Sequence, residues 1–212
     1  VTVLLGTGDG SFGQRREFPT GRRPVSVAVG LFDGNLRPDL AVTNNDDATL
    51  GILPGNGDGT FAAQRTVATG RAPSSGVVAD LDGDTTTDVV TADYGAGAVG
   101  VFLGDGSGSM RPQQAYQTSK APWSVAVGDA TGDARADIAV ADSGTGTVTI
   151  LFGLGTGLFV PYEQLEVGVN PLDVVIADAN GDAVPDLLVA NTGGDTLGVL
   201  LGRGGGSFQT QR

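Results

Sequence analysis

Apolar and polar residues alternate in blocks along this chain. The segment 148–152, with the sequence VTILF, is nearly all apolar, and the apolar segments 123–128 and 138–140 precede it. Short apolar runs of this kind are typical of strands that are buried on both faces. A glycine-rich turn and a more polar segment follow, so the block predicts four short strands, with the fourth at an outer edge.

The same block recurs with a spacing of 49 residues. Three columns of residues keep this spacing: Pro24, Pro73, Pro122 and Pro171; Asp39, Asp88, Asp137 and Asp186; and Phe12, Phe61, Met110, Phe159 and Phe208. Columns that stay in register over the whole chain predict internal repeats. We interpret the phenylalanine column, in which methionine fills one place, as apolar packing between repeats.

Strand positions within a repeat follow from the same columns. The first strands are expected directly after the prolines, at residues 25–30, 74–79, 123–128 and 172–177. The second strand begins beside the last aspartate of a loop, and the fourth is expected at 64–69 in the first repeat. The turn 55–61, with the sequence GNGDGTF, joins the third strand to the fourth, and its glycines tolerate positive φ.

Four antiparallel strands per repeat predict an all-β fold, namely a β-propeller built from 49-residue four-stranded blades. The expected blades are residues 24–72, 73–121, 122–170 and 171–212, and residues 1–23 form an extra half blade. A β-sandwich is the alternative architecture, but a sandwich does not require so strict a period.

The count of four blades and a half leaves ring closure open. The chain is interpreted as a fragment of a parent with about seven or eight blades, as a compact four-bladed ring, or as a half-ring that pairs with a second copy. An open half-ring exposes apolar blade faces, which soluble proteins rarely tolerate. We therefore favour a homo-oligomer that completes a ring of blades.

Composition narrows the classes of partner. With 40% apolar residues the chain can bury a core, and its 36 glycines and 10 prolines favour turns over helices. A net charge of −12 disfavours nucleic acid and anionic membranes. No apolar run is long enough for membrane insertion. No charged leader opens the chain at Val1, so any export signal is expected to have been removed.

Aspartate dominates the acidic residues, with 21 Asp and only 3 Glu, which is typical of loops and short-range coordination. One loop of the second repeat places Asp80, Asp82, Asp84 and Asp88 at its positions one, three, five and nine. Calcium takes roughly six to eight oxygen ligands, and alternating side chains in a tight loop can converge on it. A backbone carbonyl near position seven usually completes such a site, and Thr86 would supply it here.

Two further loops follow the same pattern, and their predicted ligands are Asp129, Thr131, Asp133 and Asp137 with the carbonyl of Arg135, and Asp178, Asn180, Asp182 and Asp186 with the carbonyl of Val184. The first loop has lost its position-one acid. Its remaining candidates Asp33, Asn35 and Asp39 are therefore expected to bind weakly or not at all.

The alternative explanation of these acids is that aspartates cap turns and face water. It must then account for ten acids at fixed offsets in three loops, where like charges repel unless a cation neutralises them. We expect three Ca²⁺ sites and a fourth, degenerate one. Magnesium fits less well, because it demands near-ideal octahedral geometry and retains its waters.

Catalytic chemistry finds little support in the sequence. The chain has no His and no Cys, which excludes Ser-His-Asp and Cys-His machinery. The remaining acid or base candidates are the carboxylates, most of which belong to the loops, and Tyr94, Tyr116, Tyr162, Lys120 and the arginines. A paired-carboxylate glycosidase or a calcium-dependent lyase needs no histidine and stays the alternative, but we do not expect an enzyme.

The segments 55–61 and 70–73, together with the loop that ends at Asp88, resemble FG-GAP repeats of the VCBS type, which are similar to those of integrin α-subunit propellers. The resemblance covers the whole chain. It implies a calcium-binding propeller that serves as an adhesion module, a lectin or an accessory domain of a secreted enzyme, with a glycan or protein ligand. It also implies a secreted or cell-surface setting.

The aspartate loops depart from the family pattern at one position. The family loop usually has a second glycine at position six, where this chain has Leu36, Thr85, Ala134 and Ala183. If that position needs positive φ, calcium binding is expected to suffer.

Trp123 is the one tryptophan and begins a first strand, so we interpret it as a core or channel-lining residue in preference to a sugar platform.

Overall fold

The structure is a computed structural model that describes residues 1–210. It contains seventeen β-strands in this range. They are β1 Thr2–Val3, β2 Arg16–Glu17, β3 Pro24–Gly30, β4 Asp39–Asn44, β5 Thr49–Leu53, β6 Arg65–Ala68, β7 Pro73–Ala79, β8 Asp88–Asp93, β9 Ala98–Phe102, β10 Gln114–Gln117, β11 Pro122–Gly128, β12 Asp137–Asp142, β13 Thr147–Gly153, β14 Phe159–Glu166, β15 Pro171–Ala177, β16 Asp186–Asn191 and β17 Thr196–Leu200.

The strands pair in chain order into five antiparallel sheets. Strands β3–β6, β7–β10 and β11–β14 form four-stranded sheets, β15–β17 form a three-stranded sheet, and β1 pairs with β2. The predicted all-β fold of four-stranded blades with an additional partial sheet is therefore confirmed. No helix in residues 1–210 is long and apolar enough to cross a membrane.

Each first strand begins at its proline, one residue earlier than the sequence predicts. The reason is a β-bulge. In the third sheet Pro122 pairs with Asp142 and Ser124 pairs with Ala141, so Trp123 is the extra residue. The other three sheets have the same irregularity after their prolines. The outer strand β6 is shorter than the predicted 64–69, because only Arg65–Ala68 pair with β5.

Apolar side chains fill the spaces between successive sheets. One cluster joins Val90 and Val101 of the second sheet to Val125 and Leu151 of the third, and all four side chains are buried. Equivalent clusters lie between the first and second sheets and between the third and fourth. The second and third strands are buried on both faces for this reason, as the continuous apolar runs predict.

The phenylalanine column packs between sheets at four of its five places. Phe159 and Phe208 are buried, Met110 and Phe61 are partly buried, and all four contact the clusters between sheets. Phe12 is the exception, with 68% of its surface exposed, so the prediction of packing is wrong there. Among residues 1–210, the two-stranded sheet beside it has no neighbouring sheet on that side.

The two ends of the array expose apolar surface. Val27 of β3 is 55% exposed, whereas Val125 and Val174 at the same place in β11 and β15 are 3% exposed. These two valines pack against the preceding sheet, but the sheet before β3 consists only of β1 and β2. At the other end, Val175 and Leu197 are exposed. Both end faces therefore leave apolar side chains uncovered.

Candidate metal centre

The direction of the strands separates two kinds of loop. First strands run towards the aspartate loops 31–38, 80–87, 129–136 and 178–185, and the glycine-rich turns after the third strands reach the same end of the sheets. We call this end the aspartate face. The segments that precede the first-strand prolines and the turns between second and third strands lie at the other end, which we call the proline face.

The second aspartate loop is organised around its position-one acid. The two carboxylate oxygens of Asp80 accept hydrogen bonds from the backbone amides of Gly83, at 2.8 Å, and Thr85, at 2.9 Å. Asp82 accepts from the amide of Asp84 at 3.2 Å. Asp84 in turn accepts from the amide of Thr86 at 2.7 Å. These short-range bonds wind the loop tightly, because each aspartate turns the chain back towards itself.

Three acids of this loop converge. Carboxylate oxygens of Asp80, Asp82 and Asp88 all lie within 4.8 Å of one another. No other trio of acidic residues in the described part of the chain approaches so closely. Asp84, the fourth predicted carboxylate ligand, is not in this group. The spacing suits a shared cation, because hard carboxylate oxygens are the ligands that calcium and magnesium prefer.

The third and fourth loops keep the same backbone arrangement. Asp129 accepts from the amides of Gly132, at 2.6 Å, and Ala134, at 2.8 Å. Asp178 accepts from the amides of Gly181, at 2.7 Å, and Ala183, at 2.9 Å. Position three holds Thr131 or Asn180 in place of an acid, so these loops bring fewer carboxylates together.

The predicted carbonyl donors occupy equivalent places. The amides of Thr86, Arg135 and Val184 each donate to the position-five aspartate of their own loop, at 2.7, 2.9 and 2.8 Å respectively. This bond fixes the backbone just before the second strand. The role of the three carbonyls as ligands stays a prediction.

The first loop lacks the organising acid. Leu31 stands at position one and its amide donates to the Thr87 hydroxyl of the next repeat at 3.0 Å. Asp33 and Asn35 interact with each other, with the Asn35 side-chain nitrogen 2.7 Å from Asp33 Oδ2. Asp39 is fully buried. Only two of these three residues are acids, and the expected degeneracy of this loop stays a prediction.

The position-nine aspartates carry a second role that the sequence reasoning missed. The Oδ2 atom of Asp39 accepts from the amide of Phe32 at 2.8 Å, and its Oδ1 accepts from the amide of Gly55 at 2.6 Å. Each later repeat has the equivalent pair of bonds. The column of aspartates in all four repeats, including the one whose loop lacks a position-one acid, was the available signal for this structural role.

The acids of the second loop differ in the direction in which their pKa values are shifted. Burial raises the pKa of Asp88 to about 6, and the negative charges of Asp82 and Asp84 add to that shift. Asp84 is exposed, and hydrogen bonds from Thr86 lower its pKa. A buried carboxylate with raised pKa beside further carboxylates is stabilised in its charged form by a bound cation.

Position six has positive φ in every aspartate loop. The φ angles of Leu36, Thr85, Ala134 and Ala183 are 60°, 68°, 66° and 63°. Side chains with a Cβ rarely adopt this conformation, which costs roughly 1–2 kcal/mol per residue. Position six therefore has the backbone conformation that favours glycine, which is the condition that the family pattern raised. Each loop forms despite the strain at this residue.

The remaining sequence candidates lie elsewhere. Trp123 and Tyr94 are 42% and 43% exposed on the proline face, so Trp123 lines a surface and is not a core residue. Tyr116 packs edge-on against Phe159, with ring centroids 5.7 Å apart, between two sheets. The side chain of Tyr162 lies outside the described part of the structure.

Comparison with known protein families identifies the family of these repeats. The model of the FG-GAP-like repeat matches residues 32–91, 80–140 and 129–189, which together span most of the chain. This chain belongs to the FG-GAP-like repeat family. No curated protein sequence matches it.

Solved structures share the fold at low sequence identity. An Agrocybe aegerita lectin that recognises non-reducing terminal N-acetylglucosamine is 20% identical, with a TM-score of 0.62 over 100% of this chain and 59% of the lectin. A functionally unknown protein from Desulfotomaculum acetoxidans is 14% identical, with a TM-score of 0.71 over 99% of this chain and 63% of that protein. A Lactobacillus plantarum protein is 18% identical, with a TM-score of 0.69 over 98% of this chain and 60% of that protein.

These similarities establish the fold of FG-GAP propeller blades. The chain spans about three fifths of the length of the structures it matches. Its sheets therefore correspond to part of a propeller of that size.

Proposed function

We propose that this FG-GAP repeat chain is a calcium-stabilised propeller segment that serves as a non-catalytic binding module. The observation that carries the proposal is the convergence of Asp80, Asp82 and Asp88 within 4.8 Å in a loop closed by short-range hydrogen bonds. Calcium is preferred to magnesium because it accepts a larger number of oxygen ligands in variable geometry, which suits a loop of carboxylate, amide and carbonyl oxygens.

Calcium would act here through stability. The position-nine aspartate already joins the aspartate loop to the adjacent glycine-rich turn. An ion held by the same carboxylate would add a further link between these segments. The third and fourth loops would use their Thr131 and Asn180 oxygens in place of the Asp82 carboxylate.

The test is thermal unfolding of the whole chain with calcium and with a chelator. Calcium is expected to raise the melting temperature, because a ligand that binds only the native state stabilises it by about 2.7 kcal/mol at a hundredfold excess over its dissociation constant. Magnesium at the same concentration serves as the comparison and is expected to stabilise less. An unchanged melting curve in calcium would contradict the proposal.

We further propose that the exposed end faces are covered by more propeller blades. Val27 and Val29 at one end and Val175 and Leu197 at the other are apolar side chains between 48% and 61% exposed. A second copy of this chain could cover them, as could additional repeats of a longer chain. The mass of the particle in solution distinguishes a homo-oligomer from a single array.

Such a module would work outside the cell or at its surface. Its role there would be adhesion or lectin-like binding. The similar lectin recognises a saccharide, so the fold is able to present a glycan site. The second candidate is the propeller domain of a secreted polysaccharide-active enzyme that itself acts on the polysaccharide, since paired-carboxylate chemistry needs no histidine. Hydrolysis or cleavage of acidic polysaccharide by the chain alone would support that candidate.

A further inference from the structure

A cavity of about 550 Å³ opens on the proline face. Its lining comes from the end of the N-terminal half blade and from the next three repeats, and includes Arg23, Val25, Asn45, Ser74, Tyr94 and Trp123. The volume lies within the range of roughly 300–1,000 Å³ that is typical of small-molecule sites. The cavity is at the opposite end of the sheets from the aspartate loops, so it is separate from the proposed calcium sites.

The backbone builds this cavity from the same positions of each repeat. Val25, Ser74 and Trp123 are the bulge residues that follow the first-strand prolines. A bulge re-aims a side chain out of the regular alternation of its strand, and bulges are frequent beside binding sites. Arg23 directly precedes β3 and has positive φ, at 51°. The scaffold is constant between repeats, whereas the side chains on it differ.

Two aromatic rings form a corner in the cavity. The rings of Tyr94 and Trp123 have centroids 5.6 Å apart and planes at 89°. Both side chains remain over 40% exposed despite this contact. Such a corner offers one ring face on which the apolar face of a flat or cyclic ligand can stack while the second ring limits its lateral movement.

Polar groups border the aromatic corner. The side-chain nitrogen of Asn45 donates to the Pro73 carbonyl at 2.7 Å, which fixes the amide and presents its oxygen as an acceptor. The Arg23 guanidinium is exposed and lies 3.6 Å from Asp46 in a loose ion pair. A loose, solvent-exposed pair of this kind contributes little stability, so the guanidinium is available to another anion at small cost.

The charged and polar groups at the cavity indicate which class of ligand it suits. Arg22, Arg23, Arg71 and Lys120 all lie in the segments that precede the first strands, where Arg22 and Arg23 pair with Asp47 and Asp46, and Arg23 is the one that lines the cavity. A cationic ligand would be repelled by the guanidinium of Arg23, and a wholly apolar ligand would leave the polar border unpaired. A sugar ring with a carboxylate satisfies the stacking surface, the amide acceptor and the guanidinium together.

We propose that this cavity binds a uronic acid unit of an acidic polysaccharide. The sugar ring stacks on Trp123 beside Tyr94, a hydroxyl donates to the Asn45 oxygen, and the carboxylate pairs with Arg23. The inference rests on the proposed role as a binding module and adds the ligand class and the site. It does not depend on the calcium loops.

The test uses the intact chain with tetragalacturonate as the probe and maltotetraose as the neutral comparison. Because Trp123 is the one tryptophan of the chain, its fluorescence reports on this site alone. Calorimetry in parallel gives the affinity. Tetragalacturonate is expected to change the fluorescence and to bind at least about tenfold more tightly than maltotetraose, a difference of about 1.4 kcal/mol.

The variants copy residues that other repeats carry at the same place, which protects folding. Trp123→Leu takes the residue of Leu172, and Arg23→Ala takes that of Ala72. Each is expected to weaken tetragalacturonate binding about tenfold or more, as followed by calorimetry. Phe12→Leu removes an exposed aromatic ring from the aspartate face and is expected to leave binding unchanged.

Binding that survives Trp123→Leu would overturn the proposal, as would equal affinity for maltotetraose or no response to tetragalacturonate. The melting temperature with and without calcium is measured on the same samples. A calcium response without saccharide binding sinks only this inference, and saccharide binding without a calcium response sinks only the calcium proposal.

Discussion

The amide nitrogen of Gly104 lies 2.8 Å from Oδ1 of Asp88, and this bond ties the turn after the third strand to the end of the aspartate loop. The other oxygen of Asp88 accepts from Leu81 at 2.8 Å, near the beginning of the same loop. One buried carboxylate thus joins three segments of the aspartate face. The first repeat keeps this arrangement through Asp39 although its loop has no position-one acid, so the aspartate column has a structural reason to persist without calcium.

Asp39→Ala therefore tests the structural role apart from metal binding. The change removes an acceptor for the buried amides of Phe32 and Gly55. Hydrogen bonds to charged groups contribute roughly 1.5–3 kcal/mol each, so the free energy of unfolding is expected to fall by about 3 kcal/mol or more. Urea denaturation with chelator present measures it. Asp33→Ala in the same loop is the control, and an equal effect of both substitutions would contradict the role assigned to Asp39.

Asp80→Leu gives the second loop the residue that the first loop has at position one. The substitution removes a carboxylate from the converging group and also the acceptor for Gly83 and Thr85. Calcium titration by calorimetry is expected to lose one ion per chain. Asp58→Ala, in the glycine-rich turn of the first repeat, is expected to leave the stoichiometry unchanged. Retention of every calcium site in the Asp80 variant would show that this loop is not a site.

Ala134→Gly relieves strain at position six of the third loop, where φ is 66°. Glycine adopts this conformation freely, so we expect a gain of about 0.5–1 kcal/mol and a melting temperature about 1–4 °C higher. The opposite substitution is Gly132→Ala, at φ of 82° with nothing within 4 Å of the added Cβ. It is expected to destabilise through backbone strain alone. Scanning calorimetry of both variants checks the pair, and a destabilised Ala134→Gly would refute the argument.

Asp142→Asn tests a buried carboxyl group near the proline face. Burial raises the pKa of Asp142 from 3.8 to about 6, against a hydrogen bond from Thr149. A pKa that is higher in the folded state stabilises the protein below the unfolded pKa, and this contribution is lost as pH rises through about 6. The melting temperature of the unmodified chain is therefore expected to fall between about pH 4 and pH 7.

The asparagine variant is expected to melt at a higher temperature than the unmodified chain at pH 7 and to show a smaller fall over this interval. Asn44 and Asn191 occupy the same place in other repeats, which indicates that the amide fits. Thermal melts of both proteins across the interval check this. An identical pH profile for the two proteins would rule out Asp142 as a source of the effect.

Val27→Glu tests whether the first end face is covered in solution. A charge at this exposed apolar position is expected to shift a self-associated chain towards monomer, because burying an unpaired carboxylate in an interface is costly. Light scattering over a range of concentrations measures the mass. Leu154→Glu, at an exposed turn, is the control. A chain that is monomeric at every concentration before substitution would exclude a second copy as the cover.

Much of the fold could be predicted from sequence because its periodicity is simple. The 49-residue spacing of proline, aspartate and phenylalanine and the short apolar runs were sufficient for antiparallel four-stranded sheets. The departures have local causes. The proline itself pairs in the first strand because the bulge follows it, and the spacing of apolar residues carries no signal for a bulge. Phe12 shares its column with buried residues but lacks a neighbouring sheet.

The aspartate loops, too, could be predicted from the sequence only in part. Ligand types and offsets along the chain indicated an oxygen-rich loop, and the family pattern raised positive φ at position six only as a condition, which the structure then met. The convergence of Asp80, Asp82 and Asp88 depends on how the loop closes, and the double hydrogen bonding of Asp88 depends on Gly104, which is distant in sequence.

The sequence by itself determined the repeat, the all-β class and the chemistry available in each loop, since all of these depend on residue type and spacing within one period. Tertiary structure alone decided which side chains of different repeats meet. It brought Arg23, Tyr94 and Trp123 together around one cavity and left Val27 uncovered while burying Val125. The physical reason is that packing between sheets joins residues about 49 positions or more apart, and their proximity depends on the stacking of whole repeats.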